Sequence, residues 1–364
     1  MATHDEWIAA GIYRPDAPDA AERLELLEWL AAQGIETAAM VTACEQDQLN
    51  ALAGDRKLRP GRRLTLTELA AEVELPIDLV RAVHRSTGMP PADDDEPIYT
   101  DGDVQMFQLF ALASEWFSPA ELGHFTRVVG NSMRRIAEAA GVMFLRDVEA
   151  PIQEARESTP LEMAKASLAG IELAHMATAI FDPLFRAHLE MATRMVRRAR
   201  AGQSDYATMP LCIGFVDLSG FTSRSSAMTP RELLDLVMTF EAESIDLVAE
   251  HGGRLVKLIG DEVMFSTVEP AEACAIAVGL VRNAARLAGG GRAGLAHGQV
   301  VASGGDVYGE IVNLAARIVD AAVPGEILVN QAVTERADGL RFDPAGRRVL
   351  KGFAEPVRLW SLEP

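Results

Sequence analysis

Cysteine is scarce in this sequence: its 364 residues include only Cys44, Cys212 and Cys274, and no two of them form a CxxC pair. This excludes a disulfide framework and a cysteine-rich zinc site, and it is typical of a reducing compartment. No segment approaches about 18 consecutive apolar residues, so we predict no transmembrane segment. The N-terminus lacks a basic stretch followed by an apolar one, which disfavours a secretory signal. We therefore expect a cytoplasmic protein.

Positive charge is also in short supply. Lys and Arg number 34 against 53 Asp and Glu, which gives a net charge of −19. Phosphate backbones repel such an acidic chain, so a role as a nucleic-acid coat is disfavoured. Hydrophobic residues make up 49 % of the chain, enough to build cores, and this excludes a disordered chain. The length predicts roughly two domains.

Runs of β-branched residues are rare in the first 200 positions, where apolar residues recur every three or four positions. This predicts an all-helical N-terminal domain, residues 1–203, whose first 200 residues carry a net charge of −12. The polar stretch GQSDYATMP then indicates a linker. We predict helices at Ala20–Gln33, Leu66–His84, Asp103–Trp116, Pro119–Ala140 and Pro160–Ala201.

Residues 204–364 alternate between strand-like and helical segments, which predicts an α/β module of one domain's size. The predicted strands are Leu211–Val216, a pair flanking Gly260-Asp261, Glu326–Val329, and the tail segments RRVLKG and PVRLWSL. The predicted helices are Pro230–Glu250, Pro270–Leu287 and one near Asn313–Val323.

A helix-turn-helix-like pattern lies at residues 64–116 and resembles the start of MerR-type regulators. Thr65 or Thr67 could cap a first short helix, a turn follows at Leu75-Pro76, and a second helix runs to His84. Thr100-Asp101 then caps a third helix. DNA binding would need basic residues on the recognition helix, where Arg81 and Arg85 stand. Acidic residues surround these arginines, so DNA is an unlikely partner and a small helical packing unit is the favoured interpretation.

Two aspartates of the C-terminal module stand where strands end. The apolar run Leu211–Val216 indicates a strand buried on both faces, and it leads into Asp217. Asp261 belongs to a Gly-Asp dipeptide typical of a hairpin turn, so each aspartate has a purely structural alternative as a cap or turn residue. Carboxylates at neighbouring strand ends repel each other unless a cation joins them, and Mg²⁺ prefers such oxygen ligands.

The segment GGDVYGEIVNLAARI, residues 304–318, carries the third feature. Asn313 and Arg317 are four residues apart, which places them on one face of a helix. Arg317 could simply form a surface ion pair, which contributes little to stability.

Three blocks, FVDLSGFT, KLIGDEVM and GGDVYGEIVNLAAR, occur in this order and are followed by LKGFAEPVRLW. Residues 209–364 thereby resemble a class III adenylyl/guanylyl cyclase catalytic domain. The resemblance implies an α+β (α/β) catalytic domain with a ferredoxin-like palm, preceded here by the all-α domain. It implies an adenylate cyclase that converts ATP to 3′,5′-cyclic AMP and pyrophosphate.

The resemblance also implies residue roles around the triphosphate. Asp217, Asp261 and the carbonyl of Leu218 would hold two divalent metal ions, Mg²⁺ or Mn²⁺, which activate the ribose 3′-hydroxyl. Further residues would contact the phosphates, by backbone N–H groups around a helix start or by side chains: Ser219, Gly220, Phe221, Thr222 and Lys351.

Asn313 corresponds to the family's ribose-orienting asparagine and Arg317 to its transition-state arginine. Lys257 and Asp306 correspond to the base-selecting pair. Adenine offers an acceptor at N1 and a donor at N6, which a Lys donor and an Asp acceptor match. Guanine has the opposite polarity, so we predict ATP rather than GTP as substrate.

In this family two subunits share each active site, so the resemblance implies a homodimer. The two-part layout is similar to mycobacterial-type cyclases, in which a helical domain restrains catalysis and confers a response to pH. Pro160–Ala201 would then form a dimer core or a pocket for an acyl chain, through apolar residues such as Met163, Ile171, Met176, Ile180 and Phe185. The alternative function is a catalytically weak nucleotide-sensing or DNA-binding regulator that uses a cyclase-like domain.

Overall fold

The computed structural model describes residues 4–91, 93–154, 159–200, 208–221 and 225–363. By its internal contacts the chain divides into two compact units, Met1–Arg186 and Ala187–Pro364. This division falls within a helix because Val196 and Ala199, in its last turns, pack into a core of the second unit. The functional boundary expected between residues 203 and 204 lies outside the described residues and stays a prediction.

The described part of the first unit is helical, as predicted. Its helices are α1 His4–Ala9, α2 Ala20–Ala32, α3 Thr37–Glu45, α4 Leu52–Leu58, α5 Leu66–Glu72, α6 Ile77–Ser86, α7 Asp101–Ala113, α8 Pro119–Phe144, α9 Ala150–Glu154 and α10 Pro160–Ala177, with a π-helical turn Leu145–Glu149 before α9. As predicted, the segment Leu66–His84 holds two helices separated by a turn: α5 ends at Glu72, Glu74 adopts a left-handed backbone (φ 55°) and α6 begins at Ile77, after Pro76. Thr65 caps α5 and Thr100 caps α7, each with a capping box.

The helix-turn-helix-like region has its own core, built around Leu69, Val80 and Phe107. Arg81, on the predicted recognition helix, pairs with Asp78 and Asp94. Arg62, just before the region, pairs with Glu72 and Asp101 inside it. These contacts fit the interpretation of a helical packing unit whose basic side chains are neutralised by neighbours.

A continuous helical stretch runs through α10, a 3₁₀ turn at Thr178–Ile180 and α11 (Phe181–Ala199). Among the described residues it is the one helix long and apolar enough to cross a membrane, by length and composition only, with a mean hydropathy of 1.2 over 18 residues. The prediction of no transmembrane segment is therefore not confirmed. Charged residues recur every turn in α11, where Arg186 pairs with Asp182 and Arg194 with Glu190.

The second unit is built on an eight-stranded sheet of order β2-β3-β1-β4-β6-β8-β7, with β5 paired to β4. All pairs are antiparallel except β4–β6. The strands are β1 Met209–Leu218, β2 Arg254–Ile259, β3 Glu262–Thr267, β4 Gly291–Ser303, β5 Asp306–Tyr308, β6 Ile327–Asn330, β7 Phe342–Arg348 and β8 Val357–Leu362. The helices are α12 Pro230–Glu250, α13 Pro270–Ala288, α14 Glu310–Ala321 and α15 Gln331–Thr334.

The mixed sheet with helices confirms the predicted α+β class of catalytic domain. The tail prediction was partly wrong: the strand ends at Arg348, and Val349 is 84 % exposed. The following turn contains Gly352 at φ 91°, a conformation that does not continue a strand.

Strand β1 is buried on both faces, as predicted. Cys212 and Val216 face one core, which α12 and α13 cover, while Ile213 and Phe215 face the other, which α14 covers. Gly294 on β4 lets α14 lie close, since a Cβ there would sit 2.3 Å from the backbone nitrogen of Val319. This close packing holds α14 in place over the sheet.

Candidate active site

The end of β1 and the β2–β3 turn bring two predicted metal ligands together. The N–H of Leu218 donates to the carbonyl of Asp261 at 3.3 Å, and Asp217 pairs with Glu262 across the sheet. Gly260 has φ 66°, so this two-residue turn uses its glycine at the first central position, as type II′ hairpins do. Asp217, Asp261 and Glu262 form what we call the carboxylate cluster.

The carboxylate cluster carries more negative charge than its surroundings balance. Burial, and then the charge of Asp217, raises the pKa of Asp261 above its ordinary value. Burial, together with the charges of Asp217, Asp320 and Asp261, raises the pKa of Glu262 to about 7. Such shifts mark a place where an added cation is favoured.

Arg292 is a site residue that the sequence analysis missed. Its guanidinium contacts one carboxylate oxygen of Asp217, with Nε at 2.8 Å and Nη2 at 2.7 Å. Its Nη1 donates to the carbonyls of Asp320 and Ala322 at the end of α14. Arg292 is the cross-strand partner of Asp217, but 75 residues separate them, so only strand pairing reveals the contact.

The cluster suits hard divalent cations by its chemistry, because Asp217 and Asp261 supply carboxylate oxygens and Leu218 can add a backbone carbonyl. Within the described ranges, no group of three or more His, Cys, Asp or Glu side chains is arranged to hold a metal ion. Two carboxylates are, however, what a Mg²⁺ site shared with substrate phosphates requires. Burial, and to a smaller extent the charge of Asp217, disfavours the ionised form of Asp261 and raises its pKa, and a bound cation would offset both effects.

The segment predicted to contact phosphates follows β1. The N–H of Ser219 already donates to the carbonyl of Gly290 at 3.0 Å, so a phosphate would compete for this donor. The Ser219 hydroxyl is buried and lacks a hydrogen-bond partner among the described residues, which makes it a candidate contact instead. Gly220 adopts φ 75°, and Phe221 packs against the adjacent core. Thr222 lies outside the described residues.

Lys257 and Asp306, predicted to select the base, are in direct contact. Lys257 Nζ lies 2.5 Å from Asp306 Oδ2, while Asp306 Oδ1 accepts from the Val307 N–H at 2.8 Å. Burial opposes ionisation of Asp306, but its hydrogen bonds and the charges of Lys257 and Arg254 lower its pKa below the ordinary value. We call Lys257 and Asp306 the Lys–Asp pair.

Helix α14 presents Asn313 and Arg317 away from the core, on the face opposite Leu314 and Ile318. Arg317 Nη1 pairs with Asp320 Oδ2 at 2.6 Å, which is the surface ion pair considered as its structural role. Lys351 lies in the β7–β8 connection, at the opposite edge of the sheet from β2, and is exposed.

Two sets of predicted site residues have contacts of their own. In the part of the chain that the structure describes, no hydrogen bond or ion pair joins the Lys–Asp pair to Asp217 or Asp261. Arg317 is linked to the surroundings of Asp217 through Asp320, whose carboxylate it contacts and whose carbonyl accepts a hydrogen bond from Arg292.

Comparison with known proteins accounts for both halves of the chain. Residues 205–363 match the family described as adenylate and guanylate cyclase catalytic domain. Residues 9–195 match the adenylate cyclase regulatory domain. An uncharacterised protein of Mycobacterium tuberculosis is 37 % identical over 362 residues, spanning 97 % of this chain and 92 % of the relative. The chain belongs to the class III adenylate cyclase family.

Two further similarities concern this cyclase. A protein of Mycobacterium tuberculosis named pH-sensitive adenylate cyclase is 29 % identical over 372 residues, which span 94 % of this chain and 88 % of that one. The crystal structure of the adenylyl cyclase CyaB from P. aeruginosa covers 43 % of this chain and 95 % of its own, at 22 % identity and a TM-score of 0.41. The two family matches make the chain an enzyme of the cyclase family with a regulatory domain before its catalytic domain.

Proposed function

We propose that this cyclase converts ATP to 3′,5′-cyclic AMP and pyrophosphate. The observation that carries the choice of ATP is the 2.5 Å contact between Lys257 and Asp306, which holds a donor and an ionised acceptor side by side. Adenine presents the complementary acceptor and donor at N1 and N6, whereas guanine would meet both groups with the wrong polarity. Each unmatched buried polar group costs about 1–3 kcal/mol.

The reaction forms one bond, from the ribose O3′ to the α-phosphorus, and breaks the bond from that phosphorus to the leaving pyrophosphate. Asp217, Asp261 and the Leu218 carbonyl would hold two divalent ions, Mg²⁺ or Mn²⁺. When bound, these ions supply charge stabilisation and a more acidic 3′-hydroxyl. Arg317 directs a planar set of donors at charge growing on phosphoryl oxygens, and Asn313 orients the ribose one helical turn away.

The direct test is turnover by the purified full chain with Mg²⁺ or Mn²⁺ and each nucleotide in turn. We expect cyclic AMP from ATP and at least about 10-fold less cyclic GMP from GTP, since one unmatched group changes a binding constant by that factor. Equal rates with both nucleotides, or no product from ATP, would overturn the proposal. No observation on the structure favours the alternative of a nucleotide-sensing or DNA-binding regulator.

We further propose a homodimer with active sites shared across the interface. The match to the cyclase catalytic domain supports this, because in that family one subunit contributes the two metal-binding aspartates and the other contributes the residues that correspond to Lys257, Asp306, Asn313 and Arg317. Apolar side chains also recur every three or four positions on the exposed face of α8, at Phe125, Val129, Met133 and Ile136. A second copy of the chain would cover such a stripe.

Mixing two inactive variants tests the shared site. Asp217→Ala and Arg317→Ala each remove one group, and a mixed dimer keeps one intact site, so subunit exchange should restore about a quarter of the wild-type activity per chain. Mixing Asp217→Ala with Asp261→Ala is the control, since both lesions lie in the same group and no intact site can form. Equal activity in the two mixtures would contradict the model.

We propose that the helical half restrains the catalytic half and makes activity depend on pH. The regulatory-domain match and the name of the pH-sensitive relative support this. The test compares pH–rate profiles of the full chain and of residues 187–364, which keep Val196 and Ala199 in the catalytic core. Superimposable profiles would remove the helical half as the source of the pH response.

Two further expectations remain proposals. We place the enzyme in the cytoplasm on the basis of its cysteine content. An acyl ligand has no direct support: a cavity of about 270 Å³ in the described part of the helical unit has a mixed lining, with Phe144 and Met163 beside polar residues such as Asp47, Gln48 and Glu149.

A further inference from the structure

Arg254 begins strand β2, three residues before Lys257. Residues three apart on a regular strand point to opposite faces, but β2 has a register shift between Leu255 and Lys257. Arg254 consequently pairs with Ser266, and Lys257 with Met264. Because Ser266 and Met264 are two apart on β3, the irregularity places Arg254 and Lys257 on the same face of the sheet.

The guanidinium of Arg254 is not satisfied by its surroundings. Its Nε and Nη2 are buried and have no hydrogen-bond partner among the residues that the structure describes. Guanidinium nitrogens are donors that are always charged, and leaving them buried without an acceptor is costly. The Arg254 guanidinium can therefore donate hydrogen bonds to an acceptor that comes within reach.

The acceptor within electrostatic range is Asp306. Strand β2 packs against β5, which begins at Asp306, and the charges of Arg254 and Asp306 act on each other. Asp306 currently has Lys257 on one oxygen and the Val307 N–H on the other. A carboxylate has about four acceptor positions, so it has room for a third donor.

We infer that Arg254 is a positioning residue that holds the Asp306 carboxylate in place when Lys257 donates to the purine. This rests on the proposed use of ATP. Without Arg254, Lys257 would have to serve the base and Asp306 at once, and Asp306 would turn away from the 6-amino group. Adenine preference thus depends on a residue that does not touch the base.

The experiment uses the full chain with Arg254→Met, which keeps the apolar stem, and Arg254→Lys, which keeps the charge. Purine riboside triphosphate is the probe, because it retains N1 but lacks the 6-amino group that Asp306 recognises. We expect Arg254→Met to raise the KM for ATP about 10-fold, to change the KM for the probe less than about 2-fold, and to alter kcat little. Arg254→Lys should recover most of the ATP preference.

Two controls separate positioning from a structural role. Arg286→Met removes an arginine that pairs with Glu243 on another part of the catalytic unit, and it should leave the ratio of the two KM values unchanged. In an Asp306→Asn background, Arg254→Met should add less than about 2-fold, because residues that act together are not additive. Equal losses with ATP and the probe, or additive effects in this cycle, would overturn the inference.

Binding of 3′-deoxy-ATP, which lacks the attacking hydroxyl, gives a readout independent of turnover. We expect Arg254→Met to weaken it about 10-fold relative to the wild type. If the wild type binds 3′-deoxy-ATP but makes no cyclic AMP, the proposed function fails and the role of Arg254 is still decided by this binding. If Arg254→Met binds it as tightly as the wild type, the inference fails while the proposed function stands.

Discussion

The carboxylate cluster and the Lys–Asp pair are supplied in part by one hairpin, β2–β3, yet their charge balance is opposite. At the carboxylate cluster, negative groups outnumber the single nearby Arg292, and the pKa values of Asp261 and Glu262 are raised. At the Lys–Asp pair, two cations surround one carboxylate, and the pKa of Asp306 is lowered. This charge balance agrees with the proposed roles, a divalent cation at the first cluster and a neutral purine at the second.

Arg292 and Lys257 have similar contacts in the two clusters, but a ligand would affect them differently. Each forms an ion pair with a predicted site aspartate, Arg292 with Asp217 and Lys257 with Asp306. A divalent ion would compete with the Arg292 guanidinium for the Asp217 carboxylate. A purine would compete with Asp306 for the Lys257 ammonium group. Substitutions in each cluster can test whether their charge balance is opposite.

The largest effect is expected at the carboxylate cluster. Asp217→Asn or Asp261→Asn keeps the size of the side chain but removes the charge that would hold a divalent ion, so kcat should fall at least about 100-fold. Cyclic AMP formation is measured at several Mn²⁺ concentrations. Asp343→Asn, on exposed β7, is the control and should behave as the wild type. Activity within about 10-fold of the wild type would argue against metal binding by these aspartates.

Substitution at the Lys–Asp pair should change selectivity more than rate. Asp306→Asn replaces an ionised acceptor by an amide, which can also donate to guanine O6, so the ratio of kcat/KM for ATP over GTP should drop about 10- to 100-fold. Asp217→Glu is the control: any loss of activity there should affect ATP and GTP equally, so the ratio of their kcat/KM values should stay constant. An unchanged ratio in Asp306→Asn would remove this residue from base recognition.

The raised pKa of Glu262 predicts a stability effect that depends on pH. The folded state holds this proton up to about pH 7, whereas the unfolded chain releases it near 4.5, so stability falls as pH rises between these values. Without divalent ions, Glu262→Gln should therefore stabilise the protein at pH 8 by roughly 1–3 kcal/mol and change little at pH 4.5. Urea unfolding at both pH values measures this, with Glu250→Gln as an exposed control. A gain of equal size at both pH values would point to packing instead.

The smallest effect is expected from Arg292. Its ion pair with Asp217 competes with a divalent ion, so Arg292→Gln should tighten Mn²⁺ binding by the nucleotide-free protein about 3- to 10-fold, measured by calorimetry. Arg282→Gln, an exposed arginine on α13, should leave the affinity as it is. Weaker Mn²⁺ binding in Arg292→Gln would mean that Arg292 supports the site rather than competing for it.

Local signals in the sequence predicted much of the fold around the candidate site. The Gly260-Asp261 turn, the buried strand leading into Asp217 and the four-residue spacing of Asn313 and Arg317 all depend on interactions within a few residues. The turn at Leu75-Pro76 is another such local signal, and α6 begins directly after it. The error lies in the tail, where the strand predicted over RRVLKG ends at Arg348.

Sequence by itself determined which residue types stand at strand ends and on one helix face, because periodicity and turn chemistry are local. Only the tertiary structure decided that Arg292 neutralises Asp217, that the Ser219 N–H is already used by Gly290, and that a strand irregularity turns Arg254 toward the face of Lys257. These contacts depend on the register between strands far apart in the chain. That register is set by the packing of the whole sheet against its helices, which no short stretch of sequence encodes.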